Sequence, residues 1–263
     1  MWTAITREIS PALADCQLSF VERDAIDISR AREQHAAYRA ALETLGCEVL
    51  ELPAEPAYPD SVFVEDVALA FDEVAIATRP GAESRRDEGA AVLQLLGSVR
   101  TVLRIEGPGT LDGGDVLRIG KRVFVGASAR SNEAGHLQLR ELLAPHGYTV
   151  VSVAMRDCLH LKSAVTQAGE SVVLINPEWV DVAPFTGYAC IEVDPAEAHA
   201  ANALRVGDAL LYPDCFPRTL ERLRAAGIAV TTVDVSELQK AEGAVTCCSI
   251  LLRSGMPQAI ATP

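Results

Sequence analysis

Amphipathic stretches and apolar runs alternate along this chain, and a glycine stands at nearly every junction. Ala31 to Leu45 has helical spacing and stops at Gly46, and the β-rich run Cys47-Glu48-Val49-Leu50-Glu51-Leu52 follows at once. Ser84 to Leu96 stops at Gly97 before Ser98 to Leu103, Ser131 to His146 at Gly147 before Tyr148 to Val153, and Pro217 to Ala226 at Gly227 before Ile228 to Val233. Glycine past the last helical turn accepts positive φ without a Cβ penalty, and β-branched runs read as strands. The pattern therefore predicts four helix–strand pairs. Further short apolar runs follow the same rhythm: Val74–Ala77, Arg122–Val125, Val172–Ile175, Ala209–Tyr212 and Ser249–Leu252.

The first three glycines recur about every 50 residues, and the fourth lies about 80 further on, which leaves room for one more unit. Its helix is expected near Ala196–Leu204. Five such units fill the length and suggest ββαβ-type modules arranged about an axis, with strand ends and loops at a common centre. An alternating α/β sandwich satisfies the same periodicity.

With 263 residues, 49% of them hydrophobic, the chain can bury a sizeable core. The expected organisation is a single catalytic domain over 1–263. A net charge of −13 argues against a nucleic-acid partner, which needs a basic face, and is compatible with a small cationic substrate. The seven cysteines have no metal-like spacing and do not suggest a disulfide framework. A reducing, cytoplasmic setting is expected. Met1 to Glu8 lacks the pattern of a signal peptide, and no run approaches a membrane span.

Six segments carry candidate chemistry. Cys247 and Cys248 open the strand-like run near the C-terminus, after the turn Glu242-Gly243. A thiolate is a strong nucleophile near neutral pH, although free cysteines are commonly core residues. His160, in Cys158-Leu159-His160-Leu161-Lys162-Ser163, is one of five histidines and a natural general acid or base. Asp112 and Asp115 lie in Gly109-Thr110-Leu111-Asp112-Gly113-Gly114-Asp115-Val116, where glycines allow close backbone approach and a carboxylate could orient a histidine. Asp60, Glu65 and Asp66 flank or interrupt the strand-like run Val62–Phe71. A buried acid there needs a cationic ligand or an internal lysine or arginine. Arg85 and Arg130 stand at expected helix starts, where they oppose the macrodipole and suit carboxylate binding instead.

Taken in order, Asp60–Asp66, Arg79–Arg86, Gly109–Val116, Leu159–Ser163, Ala200–Asn202 and Glu242–Cys247 resemble the dimethylarginine dimethylaminohydrolase family of guanidino-group modifying enzymes. The resemblance spans essentially the whole chain. It implies an α/β fold, the five-bladed pseudo-symmetric α/β propeller. It implies Cys247 as nucleophile, His160 as general acid and base, and Asp112 as the acid orienting that histidine. Asp66 and Glu65 would surround the guanidinium, Asp60 would contact the amino-acid end, and Arg85 and Arg130 would clamp the α-carboxylate. Leu18 would fall in a lid and act through its backbone. Ser131 stands where the family often has threonine, and is expected to cap a helix.

The activity implied is hydrolysis of mono- and asymmetric dimethylarginine to citrulline and an amine through a covalent Cys-thiouronium, with no metal or cofactor. The partner implied is a small cationic amino acid, with no nucleic acid or membrane; a homodimer is compatible and the oligomeric state stays open. The alternatives are an arginine deiminase-like hydrolase and an inactive relative that only binds arginine derivatives. The deiminases generally carry a second guanidinium-binding aspartate two residues after the histidine, where this chain has Lys162, and they are longer.

Overall fold

The structure, a computed structural model, describes residues 1–253. Its strands are β1 (Trp2–Arg7), β2 (Cys47–Leu52), β3 (Ala68–Ala70), β4 (Val74–Ala77), β5 (Thr101–Arg104), β6 (Val116–Ile119), β7 (Arg122–Gly126), β8 (Thr149–Val153), β9 (Val165–Gly169), β10 (Val172–Ile175), β11 (Ala189–Glu192), β12 (Leu204–Val206), β13 (Ala209–Pro213), β14 (Ala229–Val233) and β15 (Ile250–Arg253). They form five three-stranded sheets. In four of them a hairpin leads into the middle strand, which then pairs in parallel with the third: β4 is antiparallel to β3 and parallel to β5. The remaining sheet is closed by the last described strand, since β1 lies antiparallel to β15 and parallel to β2.

Parallel neighbours require a crossover. Helices α1 (Ile28–Thr44), α2 (Ala90–Gly97), α3 (Glu133–Leu143) and α5 (Pro217–Ala225) supply four of the five; α4 (Leu161–Ala164) and α6 (Ser236–Gln239) are single turns. Glycine ends the helical segments as expected at Gly46, Gly147 and Gly227, all with positive φ. Gly97 differs, because it is the last residue of α2 itself.

The middle strands are buried along nearly their full length, which explains their unbroken apolar runs. The outer strands β5, β11 and β14 are half-exposed. The apolar core is divided into seams, each between successive sheets. Leu69, Ile76, Val123 and Leu139 fill one, and Phe124, Val165, Val173 and Phe185 the next. The seam joining the two ends of the ring holds Ala4, Tyr38, Leu42, Leu211, Val233 and Cys248. Each such buried aliphatic or aromatic side chain contributes about 1.5–3 kcal/mol relative to exposure. The fold is a five-bladed α/β propeller.

Three local expectations are corrected. Ala196–Leu204 is not a helix: it is a turn-rich segment linking β11 to β12, with Ala200 and Ala201 fully buried. The fourth crossover makes only a 3₁₀ turn, Ala183–Phe185. Pro177, Pro184 and Gly187 within it oppose a regular helix, and Phe185 fills the space by stacking on Phe124 with ring centroids 4.6 Å apart. Val62–Phe71 is not one strand, since Val64–Val67 forms a 3₁₀ turn before the short β3. The cysteine pair lies in the turn before β15, not on the strand.

Candidate active site

The acids, the histidine and the cysteine among the candidates occupy one position in the repeat, the loop that enters a blade's first strand, whereas Leu18, Arg85 and Arg130 follow a middle strand. Glu65 and Asp66 precede β3, Asp112 and Asp115 precede β6, and His160 and Lys162 precede β9. Asn202 precedes β12, and Cys247 precedes β15. The pseudo-fivefold arrangement thus turns residues far apart in sequence into neighbours.

His160 Nε2 lies 3.1 Å from Asp112 Oδ2. The fully buried Asp112 carboxylate also accepts from Gly81 N at 2.8 Å. On the other side of the ring, His160 Nδ1 is 4.0 Å from Asp66 Oδ1. Burial opposes the imidazolium, but Asp66, the Asp112 hydrogen bond and Asp115 outweigh it and push His160 up to about 10. Space here is tight, because a Cβ on Gly114 would sit 2.4 Å from His160 Nδ1. One on Gly113 would sit 1.9 Å from Glu65 O. The glycines of this segment therefore let it pass between the histidine and the Glu65–Asp66 turn.

Asp66 is buried and accepts from Gly114 N at 3.0 Å and from Arg85 Nη1 at 2.6 Å. Burial raises its pKa, but the cations His160 and Arg85 prevail and hold it below the usual carboxylate range. Arg85 is buried too, and lies in a 3₁₀ turn rather than at the start of α2. Its Nε donates to Glu88 at 3.0 Å and its Nη2 to the carbonyls of Asp60 and Phe63, each at 3.2 Å. The expected free fork is thus occupied by protein acceptors. Glu65 points elsewhere, pairing with Lys162 Nζ. Burial outweighs that lysine and raises Glu65 to about 7. The internal pair that a buried acid could form is realised here.

Cys247 is half-buried, and its Sγ accepts from Ala244 N at 3.1 Å. Its carbonyl accepts from Glu65 N at 3.1 Å, which joins the cysteine turn to the acid turn. Tyr38 Oη from α1 braces the same turn through Val245 O at 2.8 Å. Cys248 is fully buried, 3.9 Å away between sulfurs, and the Cys247 contact and burial push its thiol well up. Asp60, Arg130 and Leu18 lie together at the rim. Asp60 Oδ2 accepts from Gln17 N at 3.2 Å, and Arg130 Nη2 donates to Ser19 Oγ at 3.1 Å. Leu18 between them is half-buried and packs on the apolar cluster that also holds Cys247. Asp66, Asp112 and His160 also bring ligand atoms within 4.8 Å of one another, a donor set a cation could use, and here they are engaged with protein partners.

No protein-family model matches the chain. It is 43% identical over 251 residues to an N(G),N(G)-dimethylarginine dimethylaminohydrolase of Streptomyces coelicolor, covering 95% of this chain and 96% of that one. It is 38% identical over 226 residues to the enzyme of that name from Pseudomonas aeruginosa, covering 85% of this chain and 89% of that one. The chain belongs to the dimethylarginine dimethylaminohydrolase family. The Pseudomonas aeruginosa fold, solved as a cysteine-to-serine mutant complexed with citrulline, superposes with a TM-score of 0.92 at 35% identity over 96% of this chain and all of that one. A histidine-to-glycine mutant of a dimethylarginine dimethylaminohydrolase, an adduct with S-methyl-L-thiocitrulline, matches equally well, with a TM-score of 0.92 at 35% identity over 96% of this chain and all of that one.

As a member of this family the chain is a hydrolase of the dimethylargininase class. Three further residues hold this site together in ways the sequence did not specify. Asp115 accepts from Leu161 N at 3.0 Å and from Ser131 Oγ at 2.6 Å, fixing the backbone beside His160. Ser131 does not cap α3; Asn132 does, accepting from Gly135 N. Ser131 Oγ instead accepts from Asp112 N at 3.1 Å and donates to Asp115 Oδ2 at 2.6 Å. Asn202 bonds both Lys162 O and Thr246 Oγ1 at 3.0 Å, tying the histidine loop to the cysteine turn. The Asp112-Gly113-Gly114-Asp115 spacing signalled Asp115 in part, Asn202 stood in the matching segment Ala200–Asn202 without a role, and Ser131 was expected only as a helix cap.

Proposed function

We propose that the whole chain acts as one catalytic domain that hydrolyses mono- and asymmetric dimethylarginine to citrulline plus methylamine or dimethylamine. The observation that carries this reading is that Asp66 faces the His160–Asp112 pair while the backbone N–H of its neighbour Glu65 binds the Cys247 carbonyl, so loops of four modules meet at one place. The relatives solved with citrulline and with a thiocitrulline adduct support it.

A guanidinium is delocalised and resists attack. Asp66, held ionised by its cationic neighbours, keeps such a substrate cationic and oriented, and Glu65 lies one residue away on the same turn. Asp60 receives the α-amino group, and Arg130 the α-carboxylate. Arg85, engaged with Asp66 and the Asp60 carbonyl, positions these acids. The backbone at Leu18 covers the amino-acid end. Cys247 as thiolate attacks the guanidinium carbon. His160, an imidazolium over a wide pH range, gives its proton to the departing amine. It then takes a proton from the water that attacks the thiouronium, and Cys247 leaves. Two covalent half-reactions replace one difficult hydrolysis.

Lys162 argues against the deiminase-like alternative, since it places a cation, neutralising Glu65, where that reading wants another acid. Citrulline release from monomethylarginine, asymmetric dimethylarginine and arginine tests the choice. Faster turnover of unmethylated arginine overturns it, and no turnover of any of the three favours a binding protein.

A further inference from the structure

Between the 3₁₀ turn Leu13–Asp15 and α1, residues 16–27 cross the rim of the site without helix or strand. One side chain holds the middle of this strap. Glu242 Oε1 accepts from three consecutive backbone N–H groups, Ser19 and Val21 each at 2.9 Å and Phe20 between them. Three donors converging on one anionic oxygen form charge-assisted bonds. Phe20 itself adds little apolar anchoring, because it is 53% exposed, although Leu18 beside this stretch packs on the apolar cluster. Glu242 reaches the strap with a left-handed backbone, φ 58°, which is uncommon for a residue with a Cβ. Gly243 fixes that turn, since a Cβ on it would lie 2.4 Å from the Phe63 ring.

Two neighbouring tethers use groups assigned to the substrate, Gln17 N on Asp60 and Ser19 Oγ on Arg130. A bound amino acid competes for both. It does not compete for Glu242, which lies outside the proposed binding set. We propose that Glu242 is the latch of this strap, a positioning residue that keeps residues 19–21 over the site while substrate replaces the other tethers. Because the latch lies on the turn that leads to Cys247, strap and nucleophile share one support. The kinetic part of this inference rests on the proposed function; the geometric part does not.

The test uses Glu242→Ala and Glu242→Gln in the full chain. Three quantities are read: KM and kcat for monomethylarginine, the rate of Cys247 alkylation by iodoacetamide resolved by mass spectrometry, and trypsin cleavage after Arg23. Loss of a charged hydrogen-bond acceptor predicts, for Glu242→Ala, about a tenfold rise in KM with kcat nearly kept, and about tenfold faster alkylation and cleavage. Glu242→Gln, which keeps a neutral oxygen, falls between, and it decides alone if the alanine variant does not fold. Alkylation and cleavage that stay at the wild-type rates overturn the latch. So does a fall in kcat with KM and alkylation unchanged, which would assign Glu242 to the cysteine turn. If the wild type turns over no methylated arginine, the functional reading fails, and alkylation and cleavage still decide the latch.

Discussion

The two ends of the propeller are built from the same modules and treat charge in opposite ways. At one end, the loops entering β3, β6, β9, β12 and β15 run long and irregular, and bury Asp66, Asp112, Asp115 and Arg85 in a network of protein partners. At the other end the connections are hairpin turns, such as Gly120-Lys121, Glu170-Ser171 and Gly207-Asp208. They rim a cavity of about 1190 Å³ whose ion pairs face solvent, Arg118 with Asp72 and Arg205 with Asp208 at 3.5 Å. Glu65 and Lys162 line that cavity too, and so mark where the ends meet. A repeat provides places, and connection length decides which can hold chemistry. A two-residue turn has no side chains to spare for mutual shielding, whereas an irregular loop can aim a carboxylate inward.

The contrast breaks most sharply at the cysteine turn. Cys247→Ser should lower kcat by roughly 10³-fold or more, because the covalent route closes. Cys248→Ser should stay within a few-fold, and citrulline assays on both check this. Equal losses would mean that the pair acts as a unit. Next comes Asp112→Asn, with a fall in kcat on the order of 10²-fold. His160 is held near 10 partly by this carboxylate, so its removal lowers that value. The imidazolium, and with it the alkaline limb of the pH–rate profile, should then be lost at lower pH; an unmoved limb would remove Asp112 from the role.

At the junction, Lys162→Met strands a buried carboxylate, at a cost of about 3 kcal/mol above pH 7. Burial raises Glu65 from 4.5 to about 7 in the folded chain. Its contribution is therefore full below 4.5 and is lost as pH rises through about 7. The variant should consequently be least impaired near pH 5, and melting curves across pH 5–8 test this. Smallest is Arg118→Ala at the open end. That guanidinium is 5.3 Å from the Tyr148 ring centroid and partly exposed. Its loss should cost about 1 kcal/mol or less and leave kcat unchanged. A tenfold loss of activity would show that the ends are coupled.

Periodicity read the blades well where each had a helix bounded by glycine. It failed in the fourth, where prolines suppress the helix and Phe185 stacking replaces it, a substitution visible only once neighbouring blades are packed. Site residues were legible as types at spacings, because cysteine, histidine and Asp-Gly-Gly-Asp are locally distinctive. Their partners were not. That Arg85 turns onto Asp66 and Glu88, that Glu65 takes Lys162, and that Ser131 serves Asp115 are long-range facts of burial. Alternation along a presumed strand could not reveal that Glu65 and Asp66 lie in a 3₁₀ turn.

The pairing of β15 with β1 has a consequence for how the protein is made. Synthesis delivers the acids, the histidine and four sheets' worth of strands before the turn holding Cys247 leaves the ribosome. The strand that seals the ring follows that turn by two residues. On the proposed roles, closure of the ring and delivery of the nucleophile are therefore one event.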